Sequence, residues 1–116
     1  MTTQIAWVGG AHIHTPGFIK KLNERKDVAV RLVWDHDAGR AARRAADLNA
    51  RVAVSLDEIW LDPEIRAAVV CSETDRHLEL VTAAARAGKH LFVEKPLGLG
   101  LDDAAQMEAA IEQAGV

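Results

Sequence analysis

Short apolar runs alternate with helix-like stretches along the whole chain, and this alternation constrains the possible folds more than any other feature. The runs predict five strands, over residues 5–8, 28–34, 51–55, 67–71 and 89–93. These runs are apolar on both faces, as is typical of parallel strands that are covered by helices on both sides. The alternation therefore predicts an α/β fold built on one parallel sheet.

The stretches between the strands predict the covering helices. Apolar residues recur at helical spacing over residues 38–48 and 101–114, and residues 56–61 suggest a short helical turn. In the last helix, the side chains expected to be buried are Ala104, Met107 and Ile111.

Capping residues mark the other helix ends. Thr15 is expected to be the N-cap of a helix that starts at Pro16 and carries Phe18, Ile19 and Leu22 on its apolar face. The polar residues 72–75 are expected to cap a helix that buries Leu78, Val81 and Ala85. Gly88 is expected to end that helix in a left-handed conformation.

Right-handed crossovers arrange such a chain as a doubly wound parallel sheet in a three-layer αβα (Rossmann) architecture, with strand order 3-2-1-4-5. Ligands of these sheets bind at the carboxyl ends of the strands. The loops at that edge are residues 9–15, 35–37, 71–75 and 94–98. The unusual polar clusters of this chain all fall on those loops.

The turn after the first strand reads Gly9-Gly10-Ala11-His12-Ile13-His14. A dinucleotide-binding turn needs a tight bend, a close backbone approach to a pyrophosphate, and a helix N-terminus beyond it. Gly9 matches the first glycine of the G-x-G-x-x-G pattern, but Ala11 and His14 replace the other two. The turn is a degraded match, and an ordinary strand-to-helix turn remains the alternative.

Asp35 closes the second strand, about 20 residues beyond the glycine turn, where a carboxylate accepts the ribose hydroxyls of an adenosine. The same charge repels a 2′-phosphate, so the position favours NAD over NADP. Arg40, Arg43 and Arg44 offer an alternative site for a 2′-phosphate, although a solvated helix face explains them more simply. A turn aspartate without a ligand is the alternative for Asp35.

His12 and His14 form an H-x-H pair, which can hold a metal ion in amidohydrolase barrels. His36, His77 and His90 do not supply a further ligand pattern at later strand ends. The sequence therefore predicts no metal site, and the pair is expected to line the cofactor cleft or to be exposed on its loop.

Glu94-Lys95-Pro96 follows the fifth strand and is the most specific motif of the chain. Lys95 is placed to donate a proton to a substrate hydroxyl or to orient it, and Pro96 restricts Lys95 to extended geometry. A charged pair that merely ends a strand is the alternative.

Composition narrows the classes of function. The 116 residues suffice for one domain, and the net charge of −3 comes without a basic tract, so nucleic acid is not an expected partner. No apolar stretch approaches the roughly 20 residues of a membrane span, and no basic residue precedes the first strand as in a secretory signal. Cys71 is the single cysteine, which is compatible with a reducing compartment, and we expect a cytoplasmic protein.

Taken together, these residues resemble the N-terminal NAD(P)-binding domain of the Gfo/Idh/MocA oxidoreductases, the family of glucose–fructose oxidoreductase and inositol dehydrogenase. The resemblance covers essentially the whole chain. It is carried by residues 5–9, 33–35 and 68–77, and most strongly by residues 87–97, which read Ala-Gly-Lys-His-Leu-Phe-Val-Glu-Lys-Pro-Leu.

The resemblance implies hydride transfer between a sugar- or polyol-type CH–OH and the nicotinamide of NAD, with NADP as the less favoured cofactor. Lys95 matches the family's catalytic lysine, and Glu94, Pro96 and His77 match neighbouring positions. Residues 72–75 replace the usual Thr-Pro-Asn. The residues expected at the cofactor are Gly9, Ala11, His12, Ile13, Asp35, His36, Cys71, Ser72, Thr74, His77, Glu94, Lys95 and Pro96.

Family members continue into a sixth strand and a C-terminal α/β domain that supplies most of the substrate pocket and usually the oligomer interface. Residues 1–116 are thus expected to be the cofactor domain alone, inactive by itself, in a protein that forms homo-oligomers. The alternatives are a non-catalytic Rossmann module and, less favoured, a fragment of a metal-dependent hydrolase.

Overall fold

The structure, a computed structural model, describes residues 2–116. These residues form one sheet of five parallel strands in the order β3-β2-β1-β4-β5. The strands are β1 (Thr3–Val8), β2 (Val28–Trp34), β3 (Arg51–Val52), β4 (Ile65–Val70) and β5 (His90–Val93). The predicted fold class and strand order are confirmed.

Five α-helices cover the sheet in the same residues: α1 (Thr15–Asn23), α2 (Ala38–Leu48), α3 (Leu56–Trp60), α4 (His77–Arg86) and α5 (Leu101–Ala114). A 3₁₀ turn, Thr74–Arg76, leads into α4. Helix α5 packs against α4. Within residues 2–116, none of the helices has the length and hydropathy needed to cross a bilayer.

The alternating side chains of β1 divide the core into two layers. Ala6 and Val8 belong to the cluster that also contains Leu80 and Ala84 of α4. Trp7 points to the other face, where it packs with residues of α1 and α2. Its indole Nε1–H donates to the carbonyl oxygen of Gly9 at 2.9 Å, so this buried polar group is satisfied at the start of the glycine turn.

Several predicted boundaries shift. The third strand was expected to reach residue 55, but β3 ends at Val52 because it is a short edge strand whose one partner among the described strands is β2. The fourth strand begins two residues earlier than predicted, at Ile65, and the fifth begins at His90. Gly88 has φ +76°, as predicted for the end of α4.

Two predicted caps are wrong. Helix α1 starts at Thr15 with His14 in the N-cap position, and no described side chain caps it. The Thr15 N–H donates instead to the His12 carbonyl oxygen at 3.0 Å, inside the turn. Residues 72–75 do not cap α4 through their side chains, because residues 74–76 form the 3₁₀ turn and Arg76 takes the N-cap position.

The buried faces of two helices also differ in part from the prediction. In α4, Leu78 is only partly buried, whereas Leu80 and Ala84 join Val81 and Ala85 in the core. In α5, Met107 is buried as predicted together with Ala110, while Ala104 and Ile111 are half-buried. Contact with neighbouring elements decides which residues of each helix are buried. Helical spacing in the sequence does not show that contact, so it cannot identify the buried face residue by residue.

Candidate functional site

The four polar loops meet at the carboxyl edge of the sheet and are joined by backbone hydrogen bonds. Gly9 N–H donates to the Trp34 carbonyl oxygen at 2.7 Å, which ties the first loop to the end of β2. His12 N–H donates to the Cys71 carbonyl oxygen at 2.9 Å, and Glu94 N–H donates to that of Val70 at 3.0 Å. The loops after β1, β2, β4 and β5 therefore form one continuous surface.

Gly9 is the residue on which the first loop turns. Its φ is +83°, and a Cβ built on it would lie 2.5 Å from Cβ of Ser72 and 2.7 Å from Cα of Ser72. Only glycine fits such a contact with a neighbouring backbone. Gly9 thus allows the turn to pass directly over the loop that follows β4.

Beyond this bend the loop offers backbone donors. Gly10 N–H donates to Oδ2 of Asp35 at 2.7 Å. Within residues 2–116, the N–H groups of Ala11 and Ile13 have no protein acceptor. Free N–H groups just before a helix N-terminus are suited to phosphate oxygens, so this turn fits the pyrophosphate of a dinucleotide.

Asp35 lies at the end of β2, with its side chain only 1% exposed. Besides Gly10 N–H, its carboxylate accepts Asp37 N–H at 2.9 Å. Arg40 adds two bonds, from Nε to Oδ2 at 2.7 Å and from Nη2 to Oδ1 at 2.8 Å. Burial by itself raises the pKa of Asp35, but the bonds from Arg40, Asp37 and Gly10 outweigh burial and hold the pKa below its ordinary value.

Arg40 is therefore not part of a solvated helix face, contrary to the simpler expectation. The Asp35 carboxylate raises the pKa of the Arg40 guanidinium. Its Nη2 also lies 3.4 Å from Oε2 of Glu73, and Nε2 of His36 lies 3.2 Å from the same oxygen. Asp35, His36, Arg40 and Glu73 thus form one polar cluster that links the loops after β2 and β4.

The residues after β4 contribute mainly backbone atoms to the candidate site. Burial raises the pKa of the Cys71 thiol to about 12, and the Glu94 charge adds to this shift, so the thiol is not a nucleophile. Ser72 is buried under Gly9, and its hydroxyl donates to the Glu73 carbonyl oxygen at 3.2 Å. Thr74 is half-buried at the start of the 3₁₀ turn.

His77 connects two of the loops from the first position of α4, where it is fully buried. Its Nδ1 lies 2.9 Å from the Leu97 carbonyl oxygen, and its Nε2 lies 3.2 Å from that of Ser72. A neutral imidazole donates to one of these oxygens, whereas an imidazolium donates to both. His77 therefore has a positioning role between the loops after β4 and β5.

In the motif after β5, the acid is buried and the base is exposed. Glu94 is only 7% exposed, and its Oε1 accepts Lys95 N–H at 3.0 Å. Lys95 and Pro96 are exposed, and the peptide bond between them is cis. The acid and base do not form the charged pair that their adjacency suggests, because the carboxylate is bound to the backbone rather than to the ammonium.

The two turn histidines meet the buried acid, a combination that sequence reasoning missed. The rings of His12 and His14 lie 4.9 Å apart between centroids, and Nδ1 of His14 is 3.9 Å from Oε2 of Glu94. One ligand atom from each of the three side chains falls within 4.8 Å of the other two. Ile13, between the histidines, is 85% exposed. No local signal could have joined Glu94 to this pair, because it arrives from another strand.

The sheet order, the glycine turn and the acid at the end of β2 together define a dinucleotide-binding Rossmann domain. The Gfo/Idh/MocA family model, described as an oxidoreductase family with an NAD-binding Rossmann fold, matches residues 3–116. The chain belongs to this family. The open sheet and this membership contradict the metal-dependent hydrolase alternative.

Similar proteins agree with this assignment. The chain is 48% identical over 59 residues to a myo-inositol 2-dehydrogenase of Thermotoga maritima and 44% identical over 62 residues to a 1,5-anhydro-D-fructose reductase of Ensifer adhaerens. These segments cover 51% and 53% of this chain but only 18% and 19% of the two relatives. The crystal structure of GenD2 from gentamicin A biosynthesis, in complex with NAD, is 31% identical with a TM-score of 0.89. That match covers 99% of this chain and 33% of GenD2.

We predict that Gly9→Ala destabilises the fold by about 2–5 kcal/mol, because the new methyl group meets the Ser72 backbone and the left-handed φ becomes strained. Urea unfolding monitored by circular dichroism measures the change. Gly17→Ala is the matched control, since a Cβ there meets nothing within 4 Å and the helix gains about 0.5–1 kcal/mol. A Gly9→Ala variant as stable as the wild type would contradict the close approach.

A second prediction concerns acid stability. The folded-state pKa of Asp35 lies below its ordinary value of 3.8, so its carboxylate stabilises the fold above that pH and loses this effect as pH falls through the folded pKa. Asp35→Asn should lower the free energy of unfolding by about 1–3 kcal/mol at neutral pH and flatten its decline below about pH 4. Urea unfolding across the pH range measures both effects.

Asp47→Asn is the control for this experiment, because the Asp47 side chain is exposed and, within residues 2–116, its carboxylate is paired with Arg44 alone, at 3.5 Å. The bond from Asn23 to the Asp47 carbonyl oxygen is unaffected by the substitution. It should keep the acid dependence of the wild type. An Asp35→Asn curve parallel to the wild type down to about pH 2 would show that the hydrogen bonds do not hold the pKa down.

Proposed function

We propose that the chain is the cofactor domain of an NAD-dependent dehydrogenase that oxidises a CH–OH group of a sugar or polyol, or reduces the corresponding carbonyl. The observation that carries the proposal is the convergence of three features at one sheet edge. These are the glycine turn with its free N–H groups, the Asp35 carboxylate, and the Glu94-Lys95-Pro96 loop.

The fold and the glycine turn support binding of the dinucleotide along this edge. The turn and the N-terminus of α1 would hold the pyrophosphate through the N–H groups of Ala11 and Ile13. Asp35 would accept the adenosine ribose hydroxyls, and the bound nicotinamide would supply the hydride acceptor or donor. His12, His36, Cys71, Ser72, Thr74 and His77 would form the walls of the cleft.

The polar cluster around Asp35 supports NAD over NADP. The guanidinium of Arg40 already binds both oxygens of Asp35 and lies beside Glu73, so it is engaged by carboxylates rather than free for a 2′-phosphate. The Asp35 carboxylate is ionised at neutral pH and repels that phosphate. The same bonds fill the acceptor sites of Asp35, so a ribose hydroxyl would displace one Arg40 bond when it binds.

Lys95 is the proposed catalytic residue. Its side chain is exposed at the end of β5, while the carboxylate of Glu94 holds the backbone N–H behind it. An ammonium group in this position would orient the substrate hydroxyl and take part in its proton transfer. The dehydrogenase and reductase names of the relatives support a sugar-like or polyol substrate.

The matched solved structures are about three times as long as this chain, since it covers 33% of two of them. We therefore propose that substrate-binding groups come from outside residues 1–116 and that this chain alone turns over no polyol. Self-association along the side of β5 that has no neighbouring strand within residues 2–116, and a cytoplasmic location, are part of the same proposal. Light scattering of the purified chain at increasing concentration would detect the self-association as a rise in mass.

The decisive experiment is calorimetric titration of the purified chain with NAD⁺ and, separately, with NADP⁺. We expect NAD⁺ to bind more tightly. Asp35→Ala should weaken NAD⁺ binding about tenfold, equivalent to about 1.4 kcal/mol, and should reduce the preference over NADP⁺, because the ribose acceptor and the repelling charge disappear together.

Asp27→Ala is the matched control, because Asp27 is exposed and precedes β2 at the opposite edge of the sheet. Its affinity for NAD⁺ should equal that of the wild type. Absence of binding of either dinucleotide by a folded chain would favour the non-catalytic Rossmann module, for which Ala11 and His14 in the glycine turn are the supporting observation.

A further inference from the structure

The hydrogen bonds proposed for the dinucleotide come from the N–H groups of Ala11 and Ile13 and from Asp35, and none of them uses the side chain of His12, His14 or Glu94. His12 and His14 lie on the turn after β1, and Glu94 comes from the end of β5. Their potential ligand atoms all lie within 4.8 Å of one another. Two imidazoles and one carboxylate are the donor set of open zinc sites, with a fourth position left for water or a substrate oxygen.

The spacing is compatible with one shared ion after small side-chain movements. Tetrahedral zinc with bonds of about 2.0–2.1 Å places neighbouring ligand atoms about 3.3 Å apart. The His14 Nδ1 to Glu94 Oε2 distance is 3.9 Å, so these two ligand atoms need to approach by about 0.6 Å, and the His14 side chain is 59% exposed. The buried carboxylate provides the fixed end of the site.

A neighbouring backbone group already orients the Glu94 carboxylate. Oε1 of Glu94 accepts Lys95 N–H, which leaves Oε2 directed at His14. The main-chain N–H of His12 donates to the Cys71 carbonyl oxygen, which fixes the backbone that carries the His12 ring. A hydrogen bond to a ligating carboxylate, such as the one from Lys95 N–H to Glu94, raises the metal affinity of that ligand. The one bond that metal binding would disturb joins His14 N–H to Nδ1 of His12 at 3.1 Å, and it is exposed, so water can replace it.

We propose that His12, His14 and Glu94 bind a divalent transition metal ion, with Zn²⁺ as the best fit. Two nitrogen ligands favour zinc or cobalt over magnesium or calcium, which prefer oxygen. Two neutral imidazoles and one carboxylate leave the bound ion with a net charge of +1. The ion joins the glycine turn to the loop after β5. This inference does not depend on the proposed dehydrogenase function.

The test is titration of the metal-free chain with Zn²⁺ by calorimetry and with Co²⁺ by visible absorption, which reports four-coordinate geometry. The wild type should bind one ion per chain. His14→Ala and Glu94→Gln should each weaken binding by more than about tenfold, because loss of a direct ligand costs more than loss of an outer contact. Glu94→Gln keeps an oxygen acceptor for Lys95 N–H, so it preserves the loop.

His90→Ala is the matched control, since His90 is an exposed histidine at the opposite end of β5, and it should bind Zn²⁺ like the wild type. Circular dichroism of each variant confirms that it is folded. Failure of the wild type to bind Zn²⁺ or Co²⁺ would overturn the proposal. So would binding that survives His14→Ala or Glu94→Gln, because the ion would then lie elsewhere, for example between His36 and Glu73.

Discussion

The close approach of Gly9 to Ser72 is the constraint on which the candidate site depends. At φ +83° and with no side chain, Gly9 lets the end of β1 pass over the loop that follows β4. From that position Gly10 N–H reaches Asp35 and His12 N–H reaches the Cys71 carbonyl oxygen. The buried indole N–H of Trp7 donates to the Gly9 carbonyl oxygen. One backbone bend thus joins the buried core to the ends of three strands.

Charge is distributed unevenly around this bend. On the β2 side, Asp35 is surrounded by donors and shares Arg40 with Glu73. On the β5 side, Glu94 is buried beside the turn histidines, with Lys95 exposed next to it. The two ends of the site therefore differ in chemistry. At one end, the Asp35 carboxylate is ionised and its acceptor sites are occupied by hydrogen-bond donors. At the other end, the Glu94 carboxylate is directed at two imidazoles.

Strand positions, sheet order and the loops that carry the site could be predicted from the sequence, because apolar runs and the handedness of crossovers are local or general properties. The N-cap of α1 and the residues that precede α4 could not be predicted correctly from the sequence. In both places the backbone turns were satisfied by hydrogen bonds that a sequence does not show, such as Thr15 N–H to His12. The length of β3 depended on pairing with one neighbour only.

The sequence by itself determined which residues reach the carboxyl edge of the sheet, since each polar cluster directly follows an apolar strand. It also identified Gly88 as a position that requires a left-handed backbone and Gly9 as the glycine of a tight turn. Only the tertiary structure decided which side chains meet there. Arg40 binds Asp35 because α2 begins at Ala38, directly after the loop that Asp35 starts, and its first turn places the Arg40 guanidinium at that carboxylate. Glu94 meets His14 because β1 and β5 flank β4 in the sheet, an adjacency that no spacing along the chain contains.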